Sequence, residues 1–264
     1  MILNESNYYS VEANREYLSA SQYHDFVGSL GNKGCEARAL AKIKGEWVDD
    51  PTTPMLVGSY IDAHFSGSLD VFKSQHPELL KKDGGLKSDF INAIDVIHRI
   101  ERDQYFLKYL QGEKQVIFTG ELFGAMWKTK IDCINRELFI TDLKIMADLR
   151  KAFWVKDFGV ANFIEYWGIV EQVAIYQKIA EINIRKKLPV FIAAASKESE
   201  PDIEIIGFPQ GDLDDVLSLV GPNIPRILSI KSGRENPERC GCCDYCRKTK
   251  VITGPINYRE LINE

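Results

Sequence analysis

The segment from residue 124 to 144 holds the side chains best spaced for metal-assisted chemistry. It reads GAMWKTKIDCINRELFITDLK, two strand-like runs on either side of the polar turn 135–137. A hairpin centred on that turn places Asp132 and Asp142 nearly opposite each other. Side chains alternate between the two faces of a strand, so Asp142 and Lys144 share one face. The sequence therefore predicts two carboxylates and one ammonium group on a single small patch.

Such a patch suits a divalent-metal phosphodiesterase. Carboxylate oxygens are the ligands that Mg²⁺ or Mn²⁺ prefers, and an adjacent lysine could orient a water molecule or hold a phosphate. An Asp-x-Lys triplet alone is a weak signal, because both residue types are common on solvated strand faces. Here, however, Asp132 lies between Ile131 and Cys133, and a polar group among apolar neighbours needs a partner or a function.

The elements that would position this patch predict a mixed α/β fold. A Thr-Pro pair at residues 53–54 starts a helix that runs to Phe65. Further helices are predicted at 22–30, 35–44, 88–111, 162–184 and 212–231, the last interrupted by Gly221-Pro222, and strands at 115–119, 123–134, 137–145, 188–195 and 203–207. The expected architecture is a central mixed sheet with helices on both sides. We expect a single domain over residues 1–264, with residues 232–264 as a Cys-bearing C-terminal appendage packed on it.

Three other sets of residues are ordinary when taken alone. His64 lies near the end of the 53–65 helix, where a partly buried histidine with a satisfied partner is common. Gln172 and Tyr176 are four residues apart and share one helical face, as in any amphipathic helix with a packed tyrosine. Glu121 precedes the Asp132 strand and fits a solvated turn equally well.

The six cysteines include four within seven residues, in the order C-G-C-C-D-Y-C. Cys240, Cys243 and Cys246 form a C-x-x-C-x-x-C run, and thiolates at this spacing suit zinc or an iron–sulfur cluster. A fourth ligand is needed: Cys242 is awkwardly placed beside Cys243, and Cys35 is distant in sequence. A group of reduced thiols without any metal is the alternative.

Composition sets broad limits on the function. The 264 residues are 45% hydrophobic, which is enough for one sizeable core. No apolar run is long enough to span a bilayer, and the acidic N-terminus lacks the pattern of a signal peptide, so we expect a cytoplasmic protein without membrane contact. The net charge of −5 leaves any attraction to DNA to a local basic rim. Candidate rim residues are Lys128, Lys130, Arg150, Lys151, Lys156, Arg185, Lys186 and Lys187.

Taken in order, these residues resemble the RecB-like branch of the PD-(D/E)XK nuclease superfamily, and within it the RecE-type phage exonucleases. Asp132 followed by Asp142-Leu143-Lys144 matches the superfamily's paired-strand pattern. The phrase G-S-Y-I-D-A-H-F around His64 is similar to the branch's helical histidine motif, and Gln172 with Tyr176 matches its Q-x-x-x-Y motif. The resemblance spans about residues 19 to 247 and implies a restriction-endonuclease-like sheet.

The resemblance also implies a role for each residue. His64 would join Asp132 and Asp142 at a Mg²⁺ or Mn²⁺ ion, with Glu121 as an additional carboxylate. Lys144 would position the attacking water. Gln172 and Tyr176 would support the lysine or contact the DNA backbone.

The same branch includes proteins in which one N-terminal and three C-terminal cysteines bind a [4Fe–4S] cluster. The segment L-S-A-S-Q-Y-H-D-F before Cys35 is similar to that N-terminal region. The resemblance therefore implies that Cys35, Cys240, Cys243 and Cys246 hold an iron–sulfur cluster that joins the ends of the domain. Zinc at the same cysteines remains the alternative.

The function implied is a metal-dependent DNA exonuclease that hydrolyses phosphodiester bonds from double-stranded DNA ends, 5′ to 3′, in phage-type recombination or repair. A single-strand annealing protein is the implied partner, and a ring-shaped homo-oligomer the implied assembly. Two alternatives stay open. One is a catalytically inactive DNA-binding or adaptor protein with a structural Cys-metal site, and the other is a nuclease of different specificity.

Overall fold

The computed structural model describes residues 1–261 of the chain. Its strands are β1 Gly28–Ser29, β2 Asn32–Lys33, β3 Glu113–Leu122, β4 Ala125–Asn135, β5 Phe139–Met146, β6 Phe153–Val155, β7 Gly159–Ala161, β8 Val190–Ser196 and β9 Ile203–Gly207. Its α-helices are α1 Val11–Glu16, α2 Ala20–Val27, α3 Glu36–Lys44, α4 Thr53–Ser66, α5 Leu69–Gln75, α6 Ser88–Glu101, α7 Gln104–Tyr109, α8 Phe163–Tyr166, α9 Ile169–Ile184, α10 Gln210–Val220, α11 Ile224–Lys231 and α12 Asp244–Lys248. Short 3₁₀ helices occupy Pro77–Leu79, Gly221–Asn223 and Tyr258–Leu261.

A five-stranded mixed sheet forms the centre of the molecule, in the order β3-β4-β5-β8-β9. Strands β3, β4 and β5 pair antiparallel in sequence order. β5 then pairs parallel with β8, and β9 returns antiparallel at the edge. Parallel pairing requires a crossover connection, and the chain between β5 and β8 supplies it with α8 and α9.

Each face of the sheet packs on its own hydrophobic cluster. Ile192 and Ala194 belong to the cluster that contains α9, while Ala193 and Ala195 belong to the cluster that contains α4 and α6. This alternation along β8 follows from the two-residue period of a strand. The central sheet with helices on both faces, predicted from the sequence, is therefore confirmed.

The 212–231 helix is interrupted at Gly221–Asn223, as predicted, but two helices that were predicted to be continuous are also divided. The expected 88–111 helix ends at Glu101, and Asp103 starts α7 by accepting a hydrogen bond from the Phe106 N–H at 2.9 Å. The expected 162–184 helix is broken at Gly168, whose φ of +68° is left-handed and cannot continue an α-helix. After the break, α9 packs on β3 and β4.

Further elements escaped the sequence analysis. The N-terminal segment, expected to be irregular, forms α1, with Ser10 as its N-cap. β6 and β7 form a small separate hairpin. Their strands are three residues each, too short to show a hydrophobic period. None of the helices within residues 1–261 has the length and apolar character needed to cross a bilayer.

The C-terminal segment packs against α3, near the start of the chain. The carboxylate of Glu36 pairs with Arg226 at 2.8 Å and accepts the backbone N–H of Glu238 at 2.7 Å. The N–H of Ala37 donates to the carbonyl of Glu238 at 3.0 Å. These contacts hold the cysteine-bearing segment beside the first turn of α3.

Candidate active site

The site forms where β4 and β5 separate. The two strands pair only from Cys133 opposite Thr141 to Asn135 opposite Phe139. The next residues in that register are Asp132 and Asp142, as the hairpin predicted. Instead of a backbone partner, the Leu143 N–H donates to Oδ2 of Asp132 at 3.0 Å. The Asp132 carboxylate therefore lies in the gap between the strands.

Asp142 and Lys144 form an ion pair at this gap. Lys144 Nζ lies 2.7 Å from Oδ2 of Asp142, whose side chain is only 3% exposed. The other carboxylate oxygen, Oδ1, accepts a hydrogen bond from Gln172 Nε2 at 3.0 Å. Because α9 packs on the sheet, Gln172 reaches Asp142 from the side opposite α4. The amide thus holds the carboxylate in a single orientation.

A third carboxylate, that of Asp62 on α4, joins the site through Gln115. Gln115 Nε2 lies 3.3 Å from Oδ2 of Asp62 and 3.5 Å from Oδ1 of Asp132. Gln115 has a φ of +52°, a left-handed conformation that is uncommon for a side-chain-bearing residue. Backbone strain of this kind collects at functional sites, where the surrounding structure maintains it.

These residues line one wall of an open cleft of about 960 Å³. Tyr8 and Tyr9 of the N-terminal segment and Tyr176 of α9 also face it. The buried Lys128 holds the N-terminal segment in place: its Nζ lies 4.6 Å from the Tyr8 ring centroid and donates to Asn14 Oδ1 at 2.7 Å. We refer to this space as the catalytic cleft.

The electrostatics of the cleft favour a cation. Burial raises the pKa of Asp132 well above its usual range, and the charges of Asp142 and Asp62 raise it further. Burial, and then Asp142, also raises the pKa of Asp62. Burial alone would lower the pKa of Lys144, but Asp142 and Asp132 outweigh it and raise that pKa.

The carboxylates of the cleft are oxygen ligands of the kind that a divalent cation prefers. Two of the three, Asp62 and Asp132, bind protons unusually tightly, first because they are buried and then because other carboxylates lie nearby. A hard cation with oxygen ligands would take the place of those protons. Asp62, Asp132 and Asp142 are the residues that would hold it.

The structure does not bring His64 to this site. Its Nε2 pairs with Glu101 at 2.8 Å, on the far side of α4. Asp62 and His64 are two residues apart, which is about 200° around a helix, so they point in opposite directions. This position does not support the metal-ligand role predicted for His64. The side chain of α4 that lines the cleft is instead that of Asp62.

Glu121 is also distant from the cleft. It lies opposite Met126, one residue from the end of β3, and is exposed. Gln115, which does reach the cleft, lies six residues earlier, or about 20 Å along an extended strand. The position of Glu121 likewise does not support its predicted role as an extra carboxylate.

The sequence analysis missed Asp62 and Gln115. Asp62 lies inside the motif that drew attention to His64, four residues after Gly58. The signal available was helical periodicity: Gly58 faces Ile145 of β5, and position 62 shares that face. For Gln115 no sequence signal existed. Its position depends on a left-handed backbone conformation, and glutamine is not a residue type that indicates such a conformation.

Several lysines and arginines of the predicted basic rim have other partners. Lys128 and Lys130 both line the catalytic cleft, but Lys128 is buried, with 1% of its surface exposed. Arg150 bonds Asp202 and Glu204, and Lys186 bonds Glu137 at the hairpin turn. Lys128 therefore positions the N-terminal segment instead of forming part of an outer rim.

A second cluster, the thiolate site, consists of Cys35, Cys240, Cys243 and Cys246. In the described part of the chain it is the only group of three or more His, Cys, Asp or Glu side chains whose ligand atoms all lie within 4.8 Å of one another. Cys35 Sγ lies 3.6 Å from Cys246 Sγ, although 211 residues separate them. The structure thus brings together the four cysteines that the sequence singled out.

The thiols of this site differ in pKa: burial raises the pKa of Cys35 and raises that of Cys243 to about 12. Burial raises the pKa of Cys240, but the backbone N–H groups of Cys243 and Cys242 outweigh it and lower the pKa to about 6. A thiolate is the form that binds metal. Cys242 lies beside the group, with its Sγ 3.6 Å from that of Cys240, and Cys133 is buried in β4 next to the catalytic cleft.

Comparison with known proteins shows the family of this chain. Residues 19–249 match the family model of a PDDEXK-like domain of unknown function, so the chain belongs to that family. It is also similar to a crystal structure from Eubacterium rectale described as a "Putative exonuclease". The identity is 49%, the match covers 99% of this chain and 98% of that one, and the TM-score is 0.97. Among curated proteins, none matches the chain.

Proposed function

We propose that this protein is a divalent-metal-dependent deoxyribonuclease, an exonuclease that hydrolyses phosphodiester bonds from the ends of duplex DNA. The observation that carries the proposal is the convergence of Asp132, Asp142 and Lys144 where β4 and β5 separate. Membership of the PDDEXK-like family and similarity to a protein described as an exonuclease support it.

The proposed roles follow from position. Asp62, Asp132 and Asp142 hold Mg²⁺ or Mn²⁺, and Gln172 keeps the Asp142 carboxylate oriented. When bound, the cation supplies Lewis-acid polarisation of the phosphate and lowers the pKa of a coordinated water molecule. Lys144 lies beside Asp142, where its ammonium stabilises the negative charge that develops on the phosphoryl oxygens.

Tyr176 completes the wall on the α9 side. Burial, and then the charge of Asp142, raises its pKa well above the usual range, so the phenol stays protonated. A protonated phenol can donate a hydrogen bond to the DNA backbone or to the Gln172 amide, which lies one helical turn away. Tyr176 and Gln172 are thus proposed as positioning residues.

The test compares linear and covalently closed circular duplex DNA with Mg²⁺, with Mn²⁺ and with a chelator. We expect release of nucleotides from linear DNA only, and only with the cation. Asp142→Asn should abolish release while circular dichroism and the thermal midpoint show a folded protein. A wild-type protein that binds DNA but releases no nucleotides with either cation would instead indicate the inactive DNA-binding or adaptor protein.

We propose that the thiolate site holds a structural metal centre, either a [4Fe–4S] cluster or a single zinc ion. The Sγ separations of 3.6 and 3.9 Å are close to the ~3.8 Å edge of a tetrahedron with ~2.3 Å Zn–S bonds, which supports zinc. The C-x-x-C-x-x-C run with one remote cysteine supports the cluster. Metal analysis together with visible absorption of anaerobically purified protein separates the two.

Phage-type recombination, a ring-shaped homo-oligomer and a single-strand annealing partner remain part of this proposal. Light scattering of the purified protein, alone and with linear DNA, tests the assembly. Labelling of either strand end tests the proposed 5′ to 3′ direction.

A further inference from the structure

A second cavity continues from the catalytic cleft on the other side of Lys144. Its volume is about 920 Å³, at the upper end of the range of small-molecule sites. The two cavities share Met55, Asp62 and Lys144. A phosphate held at Lys144 would therefore have one neighbouring nucleotide in the catalytic cleft and the other in the second cavity.

Aromatic rings form one wall of the second cavity. Phe153 of β6 and Trp167, between α8 and α9, line it. Phe153 stacks on Tyr166, with ring centroids 4.0 Å apart and planes inclined by 17°, and it meets Trp167 edge-on at 6.4 Å. Trp167 keeps 41% of its surface exposed. The wall thus offers a supported aromatic platform next to the catalytic residues.

Basic residues lie beside the aromatic wall. Lys151 places its Nζ 5.1 Å from the Phe153 ring centroid, and Lys197 lines the cavity with its Nζ 3.2 Å from the Pro54 carbonyl. The lining also includes Asp148, whose carboxylate is engaged with the backbone N–H of Arg150 at 2.7 Å. Two ammonium groups beside a platform of rings are complementary to a phosphate attached to a flat base.

We propose that the second cavity is a nucleotide subsite that takes an unpaired terminal nucleotide of the DNA strand being degraded. Its base lies against Phe153 and Trp167, and its phosphates lie against Lys151 and Lys197. The inference rests on the proposed nuclease function and adds the form of the substrate: the terminal base pair must open before the strand enters.

The chemistry of the cavity favours this occupant over a paired end. Stacking on an aromatic ring needs a base with a free face, and stacking of this kind tolerates any base because each has a π-face. In a duplex the faces are covered by neighbouring pairs. A flexible lysine such as Lys151 can leave the Phe153 ring and bind phosphate as the base arrives.

The experiment is a double-mutant cycle on DNA binding, in which removal of a DNA base is combined with replacement of an aromatic side chain. All proteins carry Asp142→Asn, so that DNA is not cleaved, and binding to internally labelled hairpin DNA with two unpaired terminal nucleotides is measured with Mg²⁺. Each unpaired nucleotide in turn is replaced by an abasic one. At one position we expect the abasic change to weaken binding by about 5- to 150-fold, the range for base stacking on an aromatic side chain.

Phe153→Leu and Trp167→Leu should each bind the intact hairpin more weakly and should lose most of the sensitivity to the abasic position. Both substitutions keep an apolar side chain, and a thermal midpoint identifies any misfolded variant. Trp154→Leu is the matched control: Trp154 is adjacent on β6, is 78% exposed and does not line the cavity. It should respond to the abasic change as the parent protein does.

The inference is overturned if no position is sensitive, or if the abasic change costs as much in Phe153→Leu as in the parent. The latter result would leave the cavity to another occupant, such as an apolar peptide. If the wild-type protein degrades DNA but no abasic substitution weakens binding, the subsite alone is refuted. Protein that shows the binding cycle but releases no nucleotides would refute the nuclease function and leave the subsite standing.

Discussion

The catalytic cleft and the thiolate site are assembled in opposite ways. Asp132, Asp142 and Lys144 lie within thirteen residues on adjacent strands, and the sheet fixes their positions. The thiolate site combines Cys35, which precedes α3, with cysteines more than two hundred residues later, on a short segment around α12. The first site is a product of local register, whereas the second depends on docking the two ends of the fold.

The two assemblies imply different roles for a metal ion in the stability of the fold. The strands beneath the cleft are held by the central core, so a cation there is expected to serve chemistry more than folding. The C-terminal segment has few apolar residues of its own. Its apolar contact with α3 is a small cluster around Cys35, Ala37 and Cys246, so metal binding there is expected to contribute much of its stability.

The largest effect is expected from the cleft. Asp142→Asn should lower nuclease activity by at least about a thousand-fold, since it removes a proposed ligand of the cation and the partner of Lys144. The measurement is the initial rate on linear duplex DNA. Glu121→Gln is the matched control and should stay within about two-fold of wild type. Equal losses in both variants would contradict the proposed location of the site.

At the thiolate site we expect loss of metal first and loss of activity second. Cys246→Ser should remove the bound iron or zinc and lower the thermal midpoint by ten degrees or more, about the cost of several kcal/mol in a chain of this size. Cys242→Ser is the control and should keep its metal. A Cys246→Ser protein with full metal content would show that the thiolates are not ligands.

Loss of metal from the thiolate site should also affect the catalytic cleft indirectly. Tyr245 of α12 packs edge-on against Trp47 with ring centroids 5.5 Å apart, and Trp47 lines the catalytic cleft. The Cys246→Ser protein is therefore expected to show a raised KM for DNA at temperatures where it is still folded. The sites are separate in chemistry but share this contact.

The sequence was sufficient for the parts of the molecule governed by local rules. A polar turn between two strand-like runs was enough to oppose Asp132 and Asp142, because a hairpin register follows from its turn. Helical spacing was enough to put Gln172 and Tyr176 on one face. The separation of β4 and β5 was not predictable, since it depends on the Asp132 carboxylate replacing a backbone partner of Leu143.

The errors arose where a choice depended on tertiary contacts. His64 and Asp62 lie on the same helix, and only the packing of α4 on β5 decides which one faces the strands. The positions of the helix breaks near Asp103 and Gly168 likewise depend on how the next helix packs. The approach of Cys35 to Cys246 came from resemblance, because no local rule relates positions so far apart.

Asp62 and His64 provide a direct test of that choice. Asp62→Asn should lower activity by about ten- to a hundred-fold, the range for loss of one supporting ligand. His64→Gln should leave activity within about two-fold, because its partner is Glu101 and not a group of the cleft. The rates are measured at saturating Mg²⁺ and again at limiting Mg²⁺. The reverse ranking would restore the histidine as the ligand.

Gln172 should have a smaller effect. Gln172→Leu keeps the approximate volume but removes the hydrogen bond to Oδ1 of Asp142, and we expect about a ten-fold loss of kcat with a raised requirement for Mg²⁺. Gln177→Leu does not serve as a control, because Gln177 is buried and bonded to Leu188. Lys178→Gln, on the exposed side of α9, is the control and should match wild type.

The smallest effect is thermal and depends on pH. Mg²⁺ should raise the thermal midpoint by a few degrees at about pH 8 and by less at about pH 5, because protons compete with the cation for Asp132 and Asp62. The raised pKa values of these carboxyls mean that the metal-free fold gains stability from them at low pH and loses it as the pH rises through the folded-state values. The cation should restore that loss.

Calorimetry of the metal-free protein with and without Mg²⁺, at both pH values, measures this effect. In Asp142→Asn the shift should be small at either pH, since the cation loses a ligand. A wild-type shift that is equal at both pH values would mean that the cation does not displace these protons. A shift that persists in Asp142→Asn and disappears in Cys246→Ser would place the Mg²⁺ response at the thiolate site. The cleft and the thiolate site would then not have the separate roles, in chemistry and in stability, that their assembly implies.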